Sequence, residues 1–317
     1  MRRRDGVLLP RPGGGTPGVR GVTLQADVVA RTKLPRLADR LALGSGGLRV
    51  SPCCVGMVED PATIAAAFDL GVNFFFVSSD MHWPLYEAAR RGLERLLARG
   101  GAVRDEIVVA GVCYPTQPEF CSFPFRELVD AVPGLGRLDV LLAGGAYGSE
   151  VGTRLPVYER HREERFLSNR AIGVTFHDRV AAATALQRGG LDIAFVRYNA
   201  DHAGARDDLF PHVPERPRPL LFNFKSTSGF VPPVRMAEIG LVAPDYWQPE
   251  VTDHYRFAFT RPQLDGLLVS PRTPREVEGI AAALARGPLT DEEETYLIDV
   301  AAVARGAARV RPEGETT

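Results

Sequence analysis

The sequence predicts an α/β protein that folds as a (β/α)8 barrel, the TIM-barrel architecture. Eight short apolar runs follow one another between residues 52 and 269. Amphipathic segments of helical period separate these runs. The runs lack the strict apolar–polar alternation of half-exposed strands, as expected of parallel strands that are buried on both faces. Together these observations indicate repeated βα units around a closed parallel sheet.

The predicted strands are apolar, often β-branched, and bounded by turn-forming residues. In chain order they are Pro52–Met57, Val72–Val77, Glu106–Cys113, Leu138–Ala143, Ala171–Thr175, Asp192–Tyr198, Pro219–Phe224 and Leu264–Val269. Eight such strands with interleaved helices indicate a barrel. The alternative is a doubly wound open sheet, but the Gly-rich turn that should follow its first strand is missing, since Ser45-Gly46-Gly47 precedes that strand.

Helix boundary signals agree with the barrel. Asp60-Pro61 opens the first helix, Gly71 closes it, and Thr273-Pro274 opens the last barrel helix. The amphipathic segments include Leu85–Arg99, Val180–Arg188 and a C-terminal helix over Thr290–Arg305. We therefore expect one barrel domain over residues 41–310, preceded by a disordered or extended leader (1–40) and followed by a frayed tail (311–317).

Composition excludes several classes of function. The chain is 45% hydrophobic, and its 38 basic and 39 acidic residues give a formal net charge of −1, so no overall field attracts nucleic acid or anionic lipid. No apolar run approaches the ~18 residues of a spanning helix. The four cysteines are too few to staple the chain and indicate reduced thiols. We expect a cytoplasmic protein without nucleic-acid or membrane partners.

Several short stretches occur in a recognisable order along the chain. They are Leu43–Pro52, Gly71–Phe75, Arg104–Val109, Leu138–Leu142, Ile172–Thr175, Arg197–Asn199 and Gly287–Thr290. In this order they resemble the aldo-keto reductases, beginning with the opening hairpin of that family. The resemblance covers residues from about 43 to 305. It implies a barrel whose site lies at the carboxyl ends of the strands.

The resemblance also implies NADPH-dependent carbonyl reduction by an Asp, Tyr, Lys and His tetrad. Carried over without gaps, the four positions fall on Phe76, Met81, Val112 and Gly144. None of these side chains can move a proton, so we expect the redox tetrad to be lost.

The cofactor positions that the resemblance implies are weakened as well. The nicotinamide carboxamide contacts correspond to Thr175, Phe176 and Phe195. Ser270, Arg272 and Thr273 match part of the phosphate-binding stretch and can hold an anion at a helix start. We expect no cofactor, with NADPH as the weakened alternative.

Catalytic candidates follow the predicted strands, because sites in this fold lie on the loops at the carboxyl ends. His82 with Asp80, or His202 with Asp201, forms a base oriented by a carboxylate. Alternatively, His177 and His202 only hydrogen-bond the loop backbone. The catalytic candidates are Asp80, His82, Cys113, His177, His202 and Lys225, and the substrate-binding candidates are Met57, Trp83, Tyr114, Tyr147, Asn199 and Asn223.

A metal site has no short ligand spacing to support it, and we expect none. The first hypothesis is an enzyme that performs acid/base chemistry, such as cyclisation, dehydration or isomerisation, on a small molecule or peptide, in specialised-metabolite biosynthesis. The second is a noncatalytic binding or scaffold subunit with a biosynthetic partner protein. The third is an NADPH-dependent oxidoreductase with a relocated proton donor.

Overall fold

The computed structural model describes residues 31–78, 80–148, 150–161 and 170–306, together with the paired strands Arg3–Arg4 and Val7–Leu8. Eight parallel strands close into a barrel in chain order, with the last strand paired to the first. Strands β1 to β8 are Cys53–Val55, Phe74–Ser78, Val108–Cys113, Val140–Ala146, Ala171–Phe176, Ile193–Arg197, Leu220–Phe224 and Gly266–Val269. The predicted barrel is confirmed, and closure excludes the open sheet.

Helices pack around the barrel, and most of them follow a strand. Helices α1 to α11 are Ala62–Asp69, Glu87–Leu97, Val103–Glu106, Phe123–Ala131, Val151–Arg160, Arg179–Arg188, Ala205–Asp208, Pro233–Glu238, Asp253–Thr260, Pro274–Ala285 and Asp291–Ala304. The C-terminal helix α11 begins with a capping box between Thr290 and Glu293. In the described part of the chain, no helix has the length and apolarity needed to span a bilayer.

A hairpin covers the amino-terminal end of the barrel. Its strands, Leu41–Leu43 and Leu48–Val50, pair antiparallel and bury Leu43, Leu48 and Val50. The segment 31–40 before it has no helix or strand. Leu34 and Leu37 of this segment are buried in the hydrophobic core. The predicted tail 311–317 lies outside the described residues.

Four polar side chains close the amino ends of the strands in a repeated way. Each one directly precedes an even-numbered strand and accepts a hydrogen bond from a backbone N–H at or just before the preceding odd-numbered strand. The donor and acceptor pairs are Ser51 N to Asn73 at 2.7 Å, Val109 N to Asp139 at 2.9 Å, Ile172 N to Asp192 at 2.9 Å and Leu221 N to Asp265 at 2.8 Å. The repeat holds four pairs of neighbouring strands in register at this end.

Arginines neutralise two of these buried carboxylates. Asp139 pairs with Arg104 at 3.0 Å and Arg137 at 3.3 Å, and Asp265 pairs with Arg218 at 2.6 Å and also with Arg216. A buried carboxylate is costly unless it is paired and hydrogen-bonded, and these two have both kinds of partner. This end of the barrel is therefore built for stability.

Four phenylalanine rings fill the interior of the barrel. Phe74 meets Phe222 at a ring-centroid distance of 5.7 Å, Phe195 meets Phe222 at 5.5 Å, and Phe76 meets Phe195 at 5.7 Å. All four are at most 2% exposed. Gly266 is required beside them, because a Cβ at this position would collide with the Phe222 ring. These rings form the floor beneath the mouth, the name used here for the carboxyl ends of the strands.

Candidate active site

Asp80 and His82 follow β2 and form a hydrogen-bonded pair at the mouth. His82 Nδ1 lies 3.3 Å from Asp80 Oδ1, and the His82 backbone N–H donates to the same oxygen at 3.2 Å. The Ser78 hydroxyl also donates to Asp80 Oδ1, at 2.8 Å. The Tyr114 backbone N–H donates to Asp80 Oδ2 at 2.7 Å. Asp80 is therefore fixed from two strands, and it orients the His82 ring.

The His82 ring combines support on one side with access on the other. It packs against Tyr114 at a centroid distance of 4.1 Å, while its side chain stays 34% exposed. With Nδ1 directed at the Asp80 carboxylate, Nε2 is the atom left for proton exchange. Burial and the nearby Asp80 raise the pKa of Tyr114 to about 12, so the Tyr114 hydroxyl stays protonated at neutral pH. The pair can act as a base, with a neutral phenol beside it.

Tyr114 owes its position to two glycines on β4. A Cβ at Gly144 would lie 2.8 Å from the Tyr114 ring, so a larger residue there would displace it. The strand is irregular between Ala143 and Ala146, and Gly145 has φ +65°, a left-handed value that favours glycine. The Gly145 N–H donates to the Thr175 hydroxyl at 2.8 Å, which joins β4 to β5 at the mouth.

A second group of mouth residues lies at the ends of β5 to β7. The His177 ring stacks on Tyr147 at 5.4 Å and meets Phe224 edge-on at 5.6 Å. Burial, with Lys225 and Arg197 nearby, lowers the pKa of His177, so its ring is neutral at pH 7. Because β2 and β6 lie four strands apart in an eight-stranded barrel, this group faces the Asp80–His82 pair across the mouth.

Lys225 is exposed at the end of β7 and has φ +57°, the left-handed region. It is the one non-glycine residue with positive φ in the part of the chain that the structure describes. Its carbonyl accepts from Asn199 Nδ2 at 2.8 Å and from Ser228 N at 3.2 Å. Asn199 therefore holds the Lys225 backbone in this conformation.

Arg197, the last residue of β6, lies at the mouth but is not among the predicted site residues. Side chains alternate along a strand, so Arg197 lies on the same interior face as Phe195. Its Nε atom is buried without a hydrogen-bond partner. The alternation along β6 contained the signal that places this cation in the mouth.

His202 and Asp201 lie close together, as the second predicted pair requires, with His202 Nδ1 3.3 Å from Asp201 Oδ2. Asp201 is shared, however, because Arg305 Nε lies 2.7 Å from its other oxygen. Burial and the neighbouring Arg197 lower the pKa of His202. The Arg305 contact ties this loop to the end of α11 and makes His202 the weaker candidate for a base.

Three predicted site residues require correction. Cys113 is fully buried, and burial raises the pKa of its thiol, so it is not an accessible nucleophile. Asn223 is also fully buried and donates to the Tyr198 carbonyl at 2.8 Å, while its own oxygen accepts from Ser226. Asn199 is buried and committed to the loop backbone. Both amides position the mouth and are not free to bind substrate.

The remaining predicted residues divide by exposure. Met57 is 38% exposed and Tyr147 is 68% exposed at the mouth. Trp83 packs under the guanidinium of Arg90 on α2, which covers one face of its ring. Large exposed apolar side chains also concentrate on the mouth loops, among them Met57, Met81, Leu85, Phe120, Phe123 and Tyr147. This rim suits an apolar portion of a substrate.

The predicted phosphate stretch lies at the start of α10. Ser270, Arg272 and Thr273 are all exposed there. Arg272 Nε donates to Glu276 at 3.0 Å, and its backbone N–H donates to the same carboxylate at 2.8 Å. The guanidinium is therefore already paired with a carboxylate. Among the described residues, no three His, Cys, Asp or Glu side chains converge as metal ligands would.

Two surface cavities lie at the other end of the barrel. They measure about 530 and 600 Å³ and border the segment 31–38. Arg216 and Asp265 line the first, and both belong to the stabilising end described above. None of the mouth residues lines either cavity.

Solved structures with the same architecture identify the type of barrel. One, from Pseudomonas aeruginosa and assigned provisionally as an aldo-keto reductase, has a TM-score of 0.51 and 19% identity, and the match covers 80% of this chain and 97% of that chain. The chain has the aldo-keto reductase fold. A second structure with the same provisional assignment and organism gives a TM-score of 0.51 and 18% identity, over 80% of this chain and 96% of that chain.

The likeness to the aldo-keto reductase fold is one of structure. No family model and no curated protein sequence matches the chain. At 18% to 19% identity the neighbours share its barrel, and chemistry has to be argued from the mouth of this chain.

Proposed function

We propose that this protein is an enzyme that retains the aldo-keto reductase barrel, has lost the redox tetrad, and catalyses non-redox acid/base chemistry on a small molecule or peptide. The Asp80–His82 pair is the observation that carries the proposal. Cyclisation, dehydration and isomerisation belong to this class, and specialised-metabolite biosynthesis supplies such steps. The apolar rim supports a substrate that is partly apolar.

The surroundings of the tetrad positions support the loss of redox chemistry. Phe76, at the position of the family Asp, is buried among the aromatic rings of the floor. Met81, at the Tyr position, is 80% exposed and carries no proton. Gly144 lies beside the Tyr114 ring and the Val112 side chain, and these two fill the space that a histidine at residue 144 would need. No proton donor stands at any of the four positions.

The Asp80–His82 geometry suggests how a proton moves. With Asp80 ionised, His82 holds a proton on Nδ1, and its Nε2 lone pair accepts a proton from a substrate C–H or O–H group. The imidazolium that forms is stabilised by Asp80. It then returns the proton to a different substrate atom, so the reaction has no net change in protons or electrons.

The residues present do not fit the nicotinamide nucleotide that this fold family uses. Phe195 packs in the aromatic floor, and Arg272 is paired with Glu276. Neither side chain is free to bind the nicotinamide amide or a nucleotide phosphate.

The proposal is tested by proton exchange without cofactor. Phenylpyruvate and other α-keto acids are incubated in D2O with the wild-type protein, and loss of the C–H signal is followed by proton NMR. We expect enzyme-dependent exchange that falls at least about 100-fold in His82→Ala, in line with the usual contribution of a general base. The exchange rate of Asp80→Asn should fall less, because His82 Nε2 is still present.

His212→Ala is the matched control, because His212 is exposed and lies outside the mouth. Exchange by His82→Ala at the wild-type rate would contradict the assignment of the base. Ketone-dependent oxidation of NADPH would favour the oxidoreductase alternative instead. Full activity of a copurifying partner with His82 and Cys113 both replaced would favour the scaffold alternative.

A further inference from the structure

Two cations in the mouth have no carboxylate partner. Among the residues that the structure describes, neither Arg197 nor Lys225 forms an ion pair, although most arginines of the barrel do so. Arg197 Nε is in addition buried without any hydrogen-bond partner. A partly buried charge such as that of Arg197 is costly unless it is compensated, and proteins retain such charges where a ligand supplies the opposite charge.

Strand register brings the two cations together. Arg197 is aligned with Phe224 across β6 and β7, and Lys225 is the next residue. Asn199, two residues after Arg197, donates to the Lys225 carbonyl. The Phe224 and His177 rings meet edge-on beside them at 5.6 Å. The result is a positively charged patch with aromatic walls.

Backbone geometry gives a second, independent indication. A non-glycine residue in the left-handed region costs roughly 1 kcal/mol, and such strain persists mainly where the surroundings enforce it, often at functional sites. Lys225 has this conformation, with its carbonyl held by Asn199. Glycine would adopt the same backbone conformation without strain. A lysine at this position therefore indicates that its side chain has a function.

We propose that Arg197 and Lys225 form a subsite for the carboxylate of the substrate, with Tyr147, His177 and Phe224 contacting its apolar portion. The inference rests on the proposed function and specifies its substrate class as an apolar or aromatic carboxylic acid. The subsite faces the Asp80–His82 pair across the mouth. A carboxylate anchored at β6 and β7 therefore directs the rest of the molecule towards His82.

Benzoate is the probe, and benzyl alcohol is its uncharged counterpart. Binding to the full chain is measured by ligand-observed NMR and calorimetry. We expect benzoate to bind at least 10-fold more tightly than benzyl alcohol. Arg197→Gln and Lys225→Gln should each weaken benzoate binding at least 10-fold, and Arg197→Lys should retain part of it. Arg188→Gln, an exposed arginine at the far end of α6, is the matched control.

Equal binding of benzoate and benzyl alcohol, or wild-type affinity for benzoate in both glutamine variants, would overturn the proposal. Tight NADPH binding that both variants abolish would also overturn it, by assigning the cations to nucleotide phosphate. Lys225 is exposed, so its variant stays informative if Arg197→Gln fails to fold.

His82→Ala separates the two proposals. Benzoate binding that depends on Arg197, without proton exchange that depends on His82, would retain the subsite and reject the acid/base function. Exchange that depends on His82 but is unchanged in both glutamine variants would reject the subsite and retain the function.

Discussion

At the scale of single residues, the mouth contains two kinds of side chain. Some hold the loops in place, and others are free to face a ligand. Asn199 and Asn223 are amides that sequence position alone makes attractive as binding groups, yet both are buried and satisfied by backbone. Arg197 and Lys225 are charged and unpaired among the described residues. Hydrogen-bond satisfaction, more than residue type, distinguishes the two roles.

Lys225→Gly should show whether the lysine is retained for function. We expect the free energy of unfolding to rise by up to about 1 kcal/mol, because glycine adopts the left-handed backbone without strain. Benzoate binding should fall at the same time. Urea denaturation measures the first quantity and calorimetry the second. A loss of more than about 1 kcal/mol would indicate a structural role for the side chain.

Phe76→Asp should fail to restore a reductase. The new carboxylate would lie among the buried rings of the floor without a partner, and we expect a loss of at least about 4 kcal/mol in unfolding free energy. Phe76→Leu, which keeps an apolar side chain, should cost only about 1 kcal/mol. Thermal and urea unfolding compare the two. A stable Phe76→Asp variant that oxidises NADPH with a ketone would contradict this prediction, and the same activity in the wild-type protein would contradict the proposed loss of redox chemistry.

At the scale of elements, the acidic residues before β4, β6 and β8 join neighbouring strands at the amino end. Each carboxylate accepts a hydrogen bond from the backbone N–H of one residue on the neighbouring strand, and the backbone N–H of the acidic residue donates to the carbonyl of that residue. Asp265, for example, accepts from the Leu221 N–H, and its own N–H donates to the Leu221 carbonyl at 2.7 Å. Such reciprocal pairs fix the register of adjacent parallel strands. They leave the opposite end of the barrel free to vary in its loops.

Asp265→Ala should be strongly destabilising. It leaves the Leu221 N–H without its acceptor and the largely buried Arg218 without its charge partner, and we expect a loss of about 3 to 5 kcal/mol. Asp69→Ala is the matched control, because the Asp69–Arg99 pair is exposed and should contribute less than about 1 kcal/mol. Urea denaturation measures both. Similar losses in the two variants would refute the special role of this end.

At the scale of the whole molecule, stability should depend on pH through His254 in α9. This ring is buried against Phe230, its Nδ1 has no hydrogen-bond partner, and burial lowers the pKa of His254 to about 4. The unfolded chain therefore binds more protons between pH 6.5 and pH 4. The contribution of His254 is complete above pH 6.5 and decreases as the pH falls through this window.

His254→Leu isolates this effect. From pH 7.5 to pH 5 the wild-type protein should lose about 2 kcal/mol more unfolding free energy than the variant. Asp299 acts in the opposite direction, because burial raises the pKa of its carboxyl to about 6 and stability then falls as the pH rises from 3.8 to 6. Asp299→Asn should remove that opposing trend. Parallel pH profiles for wild type and His254→Leu would contradict the assignment.

The core of the fold could be predicted because its signals are local. The eight apolar runs and the helix-opening Asp60-Pro61 and Thr273-Pro274 depend on residues adjacent in the chain, and the structure places strands and helices within a few residues of them. The pair formed by Asp80 and His82 also followed from sequence proximity. The burial of Leu34 and Leu37 did not, because it depends on a barrel surface formed by distant residues.

The barrel and the polar residues that follow its strands could be predicted without coordinates, since both depend on local periodicity and on the parallel order of the βα units. Which of those residues are accessible to a ligand depends on the folded barrel. Closure of the sheet buried Cys113, Asn199 and Asn223 and left Arg197 and Lys225 unpaired at the mouth. Burial and charge pairing depend on atoms far apart in the chain, which no local pattern records.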